Sequence, residues 1–523
     1  MPVPKPDPNA TVASRPSAVE PVELAAVAQY VDATVDGRGA IDGVAVTGVA
    51  QSSQRVVPGD LYVARAGAAT HGARYLEAAE GAGAVAWLTD PEGAAQRGSS
   101  SLPMLVVDDA RTVLGAVAAF AYGHPARALT VIGVTGTQGK TTTTRLLEEA
   151  LTLTGRRTAV VGTMGTRIAG RPVASSLTTP EAPDLHALFA VMREQQVDVC
   201  AMEVSSHALS TGRVDGVVFD VAVFTNFGRD HLDFHPSVAD YFAAKASLFT
   251  PERAVRGLIS VDDAEVVALL DGAALPMSTF GVDGSRVHNA PDPEWLGSDV
   301  VATQTGSTFM LHGPGVEVES GVAIPGAFNV ANAVCALAAI GAVGGPVEAA
   351  ARALPNVAGV PGRMEPVDRG QRFAVVVDYA HKPDAVVAAL EALRPVTPGR
   401  LVIVIGAGGD RDRGKRLLMG EVAARLADIL VVTDDNPRTE EPASIRAELL
   451  GGAERQGGAE LHEIGDRAAA IDYAIRHARS GDTVLIAGKG HETGQEIGAV
   501  VHPFDDRAVA AAALERVATG GPA

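Results

Sequence analysis

Short apolar runs alternate with polar, glycine-marked loops along most of the chain, in three textures. Over residues 21–125, Leu24–Tyr30 has a helical pattern, and 44–50 and Asp60–Ala64 read as strands around the Pro58-Gly59 turn. Runs at 84–88 and 104–107 add strands to a small α/β sheet, and Tyr122-Gly-His-Pro125 ends a helix and marks a boundary. Over 126–360, the runs 131–134, Thr158–Gly162, 197–204, Val221–Phe224 and 258–261 alternate with helical stretches. That alternation predicts a mostly parallel, doubly wound sheet. Between 280 and 325 it gives way to short alternating strands with Gly and Pro turns, the pattern of an appended β meander. Over 361–523 strands at 373–377, Leu401–Ile405, Ile429–Val432 and Thr483–Ala487 each end in a polar loop. Ligands of open α/β sheets bind beyond the carboxyl ends of strands, so this third stretch should carry a site too. The expectation is an α/β protein of three domains, 21–125, 126–360 and 361–523, behind a disordered tail over 1–20 that is rich in Pro, Ala and Ser.

Composition narrows the function. The net charge of −19 argues against a general nucleic-acid or anionic-membrane binder. Hydrophobic residues make up 47 % of the chain and aromatics 4 %, so the core must be Ala, Val, Leu and Ile. Cys200 and Cys335 sit in apolar runs and read as small core residues of a protein in a reducing cytoplasm. No apolar run approaches the roughly 20 residues that span a bilayer. Six lysines stand against thirty-seven arginines. Arginine serves wherever a generic cation suffices, so the remaining lysines become candidates for chemistry that arginine cannot copy. Beyond Lys5 they are Lys140, Lys245, Lys382, Lys415 and Lys489.

The apolar run 131–134 leads into Thr135-Gly136-Thr137-Gln138-Gly139-Lys140-Thr141-Thr142. A strand, a glycine turn, a lysine and a helix start make a phosphate cradle, with backbone N–H groups and the helix dipole facing the anion and Thr141 placed to reach Mg²⁺. The spacing is not the standard P-loop, which has glycine where Val134 stands. The bland alternative is a glycine turn between strand and helix.

A metal beside phosphates needs hard oxygen ligands. Glu203, in Met202-Glu-Val-Ser-Ser-His207, follows a strand and suits that role, although Ser205 and Ser206 also fit an N-cap cluster. His231, among Asp230 and Asp233, is a candidate ligand or a structural histidine. Lys245 sits on a helical pattern, where lysines are ordinarily solvated; a neutral lysine there could instead take up CO₂ as a carbamate, a hard-metal ligand. Asn329 and Asn332 lie one helical turn apart, placed to read a base edge or to cap a helix. Arg363 and Glu365 open the third stretch as candidates for nucleotide contacts across a hinge.

Taken together, Thr135 to Thr144, Glu203-Val-Ser-Ser-His207, Asn226 to His235, Phe328-Asn-Val-Ala-Asn332, Pro361-Gly-Arg363 and Asp378-Tyr-Ala-His381 resemble, in order, the motifs of the ATP-dependent Mur ligases of peptidoglycan synthesis. The resemblance implies an N-terminal domain holding the UDP end of the substrate, a central ATPase and a C-terminal Rossmann-like domain admitting the amino acid. It implies ATP and Mg²⁺, with Gly136, Thr137, Gln138, Gly139, Lys140, Thr141, Thr142, Asn329, Asn332, Arg363 and Asp378 on the nucleotide. It places Thr141, Glu203, His231 and a carbamylated Lys245 at metal, and Lys140 and His381 among the catalytic groups.

Thr433-Asp-Asp-Asn-Pro-Arg438 resembles the signature of those members that add meso-diaminopimelate to UDP-N-acetylmuramoyl-L-alanyl-D-glutamate. Diaminopimelate differs from lysine by a distal carboxylate, which a guanidinium such as that of Arg438 can grip bidentately. A site built for that charge rejects an analogue lacking it by about 10⁴ or more in favourable cases. The resemblance adds Arg411, Asp435, Asn436, Pro437, Gly488 and Glu492 to this site, with Glu492 suited to the distal ammonium. It puts Ser53, Thr178, Thr179, Ser205, Thr211 and Arg213 on the UDP-dipeptide. Leu177 and Thr211-Gly212 depart from the residues common in the family, and Gln51-Ser-Ser-Gln54 is a weak motif. The implied mechanism passes through an acyl phosphate that the amine then attacks. The expected partners are small molecules, with no nucleic acid and no membrane insertion, and the expected assembly is a monomer. The rivals are a sister ligase, such as the lysine-adding enzyme or folylpolyglutamate synthase, and a non-catalytic ATP-binding scaffold. The intact set of Lys140, Glu203, His231 and Lys245 speaks against the scaffold.

Overall fold

A computed structural model describes residues 12–36, 40–67, 69–174 and 177–518. The chain forms two compact units, one of residues 1–295 with 335–350 and one of 296–334 with 351–523.

The first unit holds a smaller and a larger sheet beside the two-stranded pairing of Val22–Glu23 with Ala45–Val46. The smaller runs in the order Thr34–Val35, Met104–Val106, Ala86–Thr89, Asp60–Ala64, Gly48–Ala50, parallel apart from the Thr34–Val35 edge. Leu24, Val27, Leu61, Leu88 and Val117 pack on one face, and Tyr62, Leu76 and Trp87 on the other. The single strand expected over 44–50 is two pieces. Ala45–Val46 pairs with Val22–Glu23 and Gly48–Ala50 with Asp60–Ala64. The break falls at Thr47, whose N–H turns aside to Gly59 O at 2.9 Å.

The larger sheet places Thr130–Thr135 between Val199–Glu203 and Val221–Phe224, all parallel. Glu203 stands opposite Val134 and Phe224 opposite Thr135, so three site-bearing loops leave the sheet at one level. Between their polar ends at Thr130, Thr135 and Glu203 these strands are apolar and buried on both faces, as a sheet covered by helices requires. Both cysteines are buried and unbridged, as core residues should be. Two features depart from expectation. Gly165–Ile168 and Arg171–Val173 form a hairpin around Ala169 and Gly170, both at positive φ. The stretch 1–20, expected as a disordered tail, makes long-range contacts within residues 12–20. Residues 1–11 lie outside the described residues, but Val12 N–H donates to Pro172 O at 2.9 Å, Arg15 pairs with Asp60 at 2.7 Å, and Ala18 N–H donates to Glu194 at 2.9 Å. A polar, proline-rich composition hid these partners because each lies far away in sequence.

The second unit has the expected antiparallel meander, Trp295–Ala302, Ser307–Gly313 and Val316–Val322. It also has a six-stranded sheet in the order Glu365–Pro366, Ala374–Asp378, Thr483–Ala487, Leu401–Ile405, Ile429–Val432, Glu460–Glu463. All pairs but the first are parallel. Asp378, Ala487, Ile405 and Val432 are cross-strand neighbours, so four loops leave one edge together. Glu460–Glu463 was too polar to read as a strand, and the hairpin Gly494–Ile497 with Val500–Pro503 was not expected. Among the described residues no helix is long and apolar enough to cross a membrane.

Candidate active site

The glycine turn after Thr130–Thr135 is shaped by its neighbours. Gly136 sits at φ 144°, and a Cβ there would lie 2.0 Å from Thr225 Oγ1. Gly139, at φ 81°, opens the helix Lys140–Leu153. Thr137 N–H donates to Asn226 O and Gln138 N–H to Asn226 Oδ1, both at 2.9 Å, so the Asn226 loop holds the turn from the side. Lys140 Nζ donates to Gly136 O at 2.7 Å and to Thr137 O at 3.1 Å. Lys245 Nζ reaches the same Gly136 O at 2.7 Å. The helix lysine that would ordinarily be solvated is 1 % exposed, over the Tyr241 ring at 4.7 Å. Thr141 and Thr142 are buried in the first turn of the helix.

Glu203 is buried at its strand end. Its Oε1 accepts from Thr163 N–H at 2.8 Å and its Oε2 from Thr163 Oγ1 at 3.1 Å. Thr163 Oγ1 also lies 3.1 Å from Thr178 Oγ1, so a substrate-side threonine is linked to the candidate metal carboxylate through Thr163. His231 stands at φ 52°, with Nε2 3.5 Å from Asp230 Oδ2 and its ring 4.8 Å from that of His207. Burial holds the His207 and His235 imidazoles below their ordinary range, with the charge of His235 the next cause for His207 and that of Lys245 the next cause for His235. Among the described residues no three His, Cys, Asp or Glu side chains gather into a protein-only metal cage. The donor set still suits Mg²⁺, which binds through one or two carboxylates plus substrate phosphates. Glu203 and the Thr141 hydroxyl are hard oxygen donors of that kind.

Thr179 Oγ1 donates to Glu203 O at 2.9 Å, and Arg213 Nη1 to Thr179 O at 3.4 Å. Ser205 caps the short helix Ser206–Ser210 through Ala208 N–H, so the capping alternative holds for its hydroxyl. Thr211 Oγ1 donates to His207 O at 2.6 Å. Ser53 opens a 3₁₀ turn beside Gln51, whose Nε2 donates to Glu181 at 2.8 Å, and Glu181 in turn pairs with Arg213 at 3.0 Å.

In the second unit Asn332 Nδ2 donates to Asn329 Oδ1 at 3.2 Å, and Asn329 Nδ2 to Pro325 O at 2.7 Å. The two amides therefore tie down the entry of their helix. Arg363 lies over the Tyr379 ring at 4.5 Å. Asp378 is pushed up by burial, against the pull of Arg363, and its carboxylate accepts from Met364 N–H and Ala380 N–H at 2.7 and 2.8 Å. Burial lowers the His381 imidazole to about 4. Its Nδ1, 2.8 Å from Tyr379 O, must carry the proton of the neutral ring, which leaves Nε2 as an acceptor. Lys415 Nζ donates to His381 O at 2.9 Å.

The loop after Ile429–Val432 is tied on every side. Arg438, at φ 51°, directs Nε to Glu496 and Nη1 to Gly409 O, both at 2.8 Å. Its backbone exchanges bonds with the hairpin, Arg438 N–H to Glu496 O at 3.0 Å and Gly498 N–H to Arg438 O at 2.7 Å. Pro437 O lies where a Cβ on Gly409 would fall. Asn436 Nδ2 donates to Glu492 Oε2 at 3.0 Å. Gly488, at φ 117°, lets the next strand end approach Asp435, whose Oδ2 lies 2.7 Å from where a Cβ would be. Arg411 stays exposed, its Nη1 3.4 Å from Asp410 O.

Residues 134–340 match the family model described as Mur ligase middle domain, and residues 362–490 the one described as Mur ligase, glutamate ligase domain. The chain is a member of the Mur ligase family. The UDP-N-acetylmuramoyl-L-alanyl-D-glutamate–2,6-diaminopimelate ligase of Streptomyces avermitilis is 50 % identical to this Mur ligase over 506 residues, 96 % of this chain and 98 % of that one. The protein of the same name from Corynebacterium glutamicum is 47 % identical over 93 % of this chain and 94 % of its own. A solved structure of a ligase of that name matches with a TM-score of 0.66 and 33 % identity, over 91 % of this chain and 96 % of that one. MurF from Acinetobacter baumannii shares the fold at a TM-score of 0.63 and 19 % identity, over 90 % of this chain and 96 % of that one.

Sequence reasoning missed several residues of this Mur ligase that the structure places at the site. Thr163 follows the strand Thr158–Gly162, and its position at a strand end was the available signal. Glu181 and Arg65 have no motif; Arg65 Nε donates to Gln51 at 3.0 Å. Glu496 lies on the unexpected hairpin, and its pairing with Arg438 is a tertiary fact.

Proposed function

We propose that this Mur ligase joins meso-2,6-diaminopimelate to UDP-N-acetylmuramoyl-L-alanyl-D-glutamate with hydrolysis of ATP to ADP and phosphate. The observation that carries the reading is the anchored Arg438. Its guanidinium is fixed through Nε and Nη1, so a distal carboxylate takes the remaining Nη2 corner of a group that cannot swing away. The relatives that match nearly the whole chain bear that activity in their names.

In this reading 21–125 holds the UDP end, Ser53 there and Thr178, Thr179, Ser205, Thr211 and Arg213 of the next domain contact the UDP-dipeptide, 126–360 binds ATP, and 361–523 admits the amino acid. The backbone of Gly136 to Thr142 and Lys140 receive the nucleotide phosphates. The nucleotide draws Lys140 Nζ off Gly136 O toward the γ-phosphate, where its charge offsets that building up in the transition state. Asn329, Asn332, Arg363 and Asp378 serve the rest of the nucleotide. Mg²⁺, held by Thr141, Glu203, His231 and a carbamate on Lys245, supplies charge neutralisation when bound. Two ammonium groups on one carbonyl oxygen repel each other, which favours reaction of the Lys245 amine with CO₂ to give the carbamate and a proton. The glutamyl carboxylate attacks the γ-phosphorus, ADP leaves, and the diaminopimelate amine then displaces phosphate from the acyl carbon. His381 Nε2, held unprotonated, can accept a hydrogen bond from that amine. Arg411, Asp435, Asn436, Pro437, Gly488 and Glu492 complete the amino-acid site. No step draws on a second copy, so the reading takes a cytoplasmic monomer.

The test is phosphate release from the purified protein with ATP, the UDP-dipeptide and a panel of amino acids. Release should require both the UDP-dipeptide and diaminopimelate. Equal turnover with lysine would overturn the specificity, and release with ATP alone would overturn the ligase.

A further inference from the structure

Lys489 has no part in the chemistry above, yet it is one of the most completely enclosed side chains in the protein, at 0 % exposure. It enters between Gly488 and Gly490, both at positive φ, and points its ammonium into the amino-acid loop. Nζ lies 2.9 Å from Asn436 Oδ1, 3.2 Å from Glu492 Oε2 and 3.8 Å from Asp435 Oδ1. Nζ thus donates hydrogen bonds to two oxygens and pairs by charge with a third.

The consequence falls on Asn436. Its Oδ1 accepts from Lys489 Nζ and also from Glu496 N–H at 3.0 Å, which uses both lone pairs. Rotating the amide would set its NH₂ against an ammonium and a backbone N–H together. Nδ2 is therefore held on Glu492 Oε2, 3.0 Å away. That oxygen takes Lys489 as well, so Glu492 is gripped by one oxygen and presents Oε1 as its remaining acceptor.

We propose that Lys489 is a positioning residue for the amino-acid site: it fixes the Asn436 amide and aims Glu492 Oε1 at the distal ammonium of the incoming diamino acid. The inference rests on reading this loop as the diaminopimelate site. Arginine, abundant elsewhere, does not fill the role, because a planar fork cannot serve three oxygens around one point.

The experiment compares Lys489→Met, Asn436→Ala and the double variant with the unaltered enzyme, and runs Arg438→Ala in parallel. Lys489→Met should raise the KM for diaminopimelate about tenfold or more, with a much smaller change in kcat. Acyl-phosphate formation from ATP and the UDP-dipeptide, read by borohydride trapping without amino acid, should be unchanged. The double variant should lose little beyond Asn436→Ala alone, because both act through one amide. An unmoved KM in folded Lys489→Met, or additive losses in the double variant, overturns the proposal. Should Lys489→Met not fold, Lys489→Arg keeps the charge but not the geometry of the ammonium; a raised KM for diaminopimelate then supports the positioning role and an unmoved KM overturns it. If Arg438→Ala also leaves the KM unmoved, the site reading has failed; if it raises the KM and Lys489→Met does not, only the positioning role has failed.

Discussion

The phosphate loop and the amino-acid loop are both strand-end loops, yet they are built from different materials. Around Gly136 the partners are largely main-chain groups: Asn226 O, Gly136 O and Thr137 O take bonds, with Asn226 Oδ1 beside them, and two lysines converge on one carbonyl. Around Arg438 and Asn436 the partners are largely side chains of definite shape, Glu492, Lys489 and Glu496. A main-chain cradle suits any phosphate chain, since every residue carries the same N–H. A side-chain cluster suits one ligand, because its charges are placed for particular groups. Under the proposed function the difference puts energy supply in one loop and choice of amino acid in the other.

The largest test of that division is Lys140→Ala. It should lower kcat by about 10³ with every amino acid tried. The KM for diaminopimelate should hold, and a changed amino-acid preference would break the comparison. Next is Arg438→Ala, expected to lower kcat/KM for diaminopimelate by about 10² through loss of one enclosed charge partner. Steady-state kinetics should show the KM for ATP unmoved.

Gly136→Ala asks whether the cradle depends on its backbone shape. A Cβ would fall 2.0 Å from Thr225 Oγ1 at a φ that side chains avoid, so thermal denaturation should show a loss of about 2 kcal/mol or more. The smallest effect concerns acid. His186, 1 % exposed and 2.9 Å from Asp215 O, is lowered by burial to about 4. The folded protein holds this ring neutral while the unfolded chain protonates it near 6.5, so stability is full above that pH and falls between about 6.5 and 4. At pH 5.5 the cost is roughly 1 kcal/mol. His186→Gln should make the pH dependence of the melting temperature shallower by that amount; an unchanged slope would assign the acid sensitivity to the other histidines lowered by burial, among them His207, His235, His381 and His491.

Sequence legibility follows the same division. The strands Thr158–Gly162, Val221–Phe224, Leu401–Ile405 and Thr483–Ala487 were readable to the residue, because a buried parallel strand is a continuous apolar run. The phosphate turn was readable because its glycines and lysine are contiguous. The amino-acid loop was readable only through resemblance, since Asn436, Lys489, Glu492 and Glu496 meet through three separate segments. Glu460–Glu463 was invisible because an edge strand needs no apolar pattern.

The scarcity of lysine has a practical side. Every described lysine is at least partly covered, and Lys245 and Lys489 are almost wholly so. Among the described residues an amine-acylating reagent therefore meets few targets, and modification of a described lysine reports on Lys140, Lys382 or Lys415. Mass-spectrometric footprinting of these amines would read the occupancy of the phosphate cradle against a background that most proteins, studded with solvated lysines, do not offer.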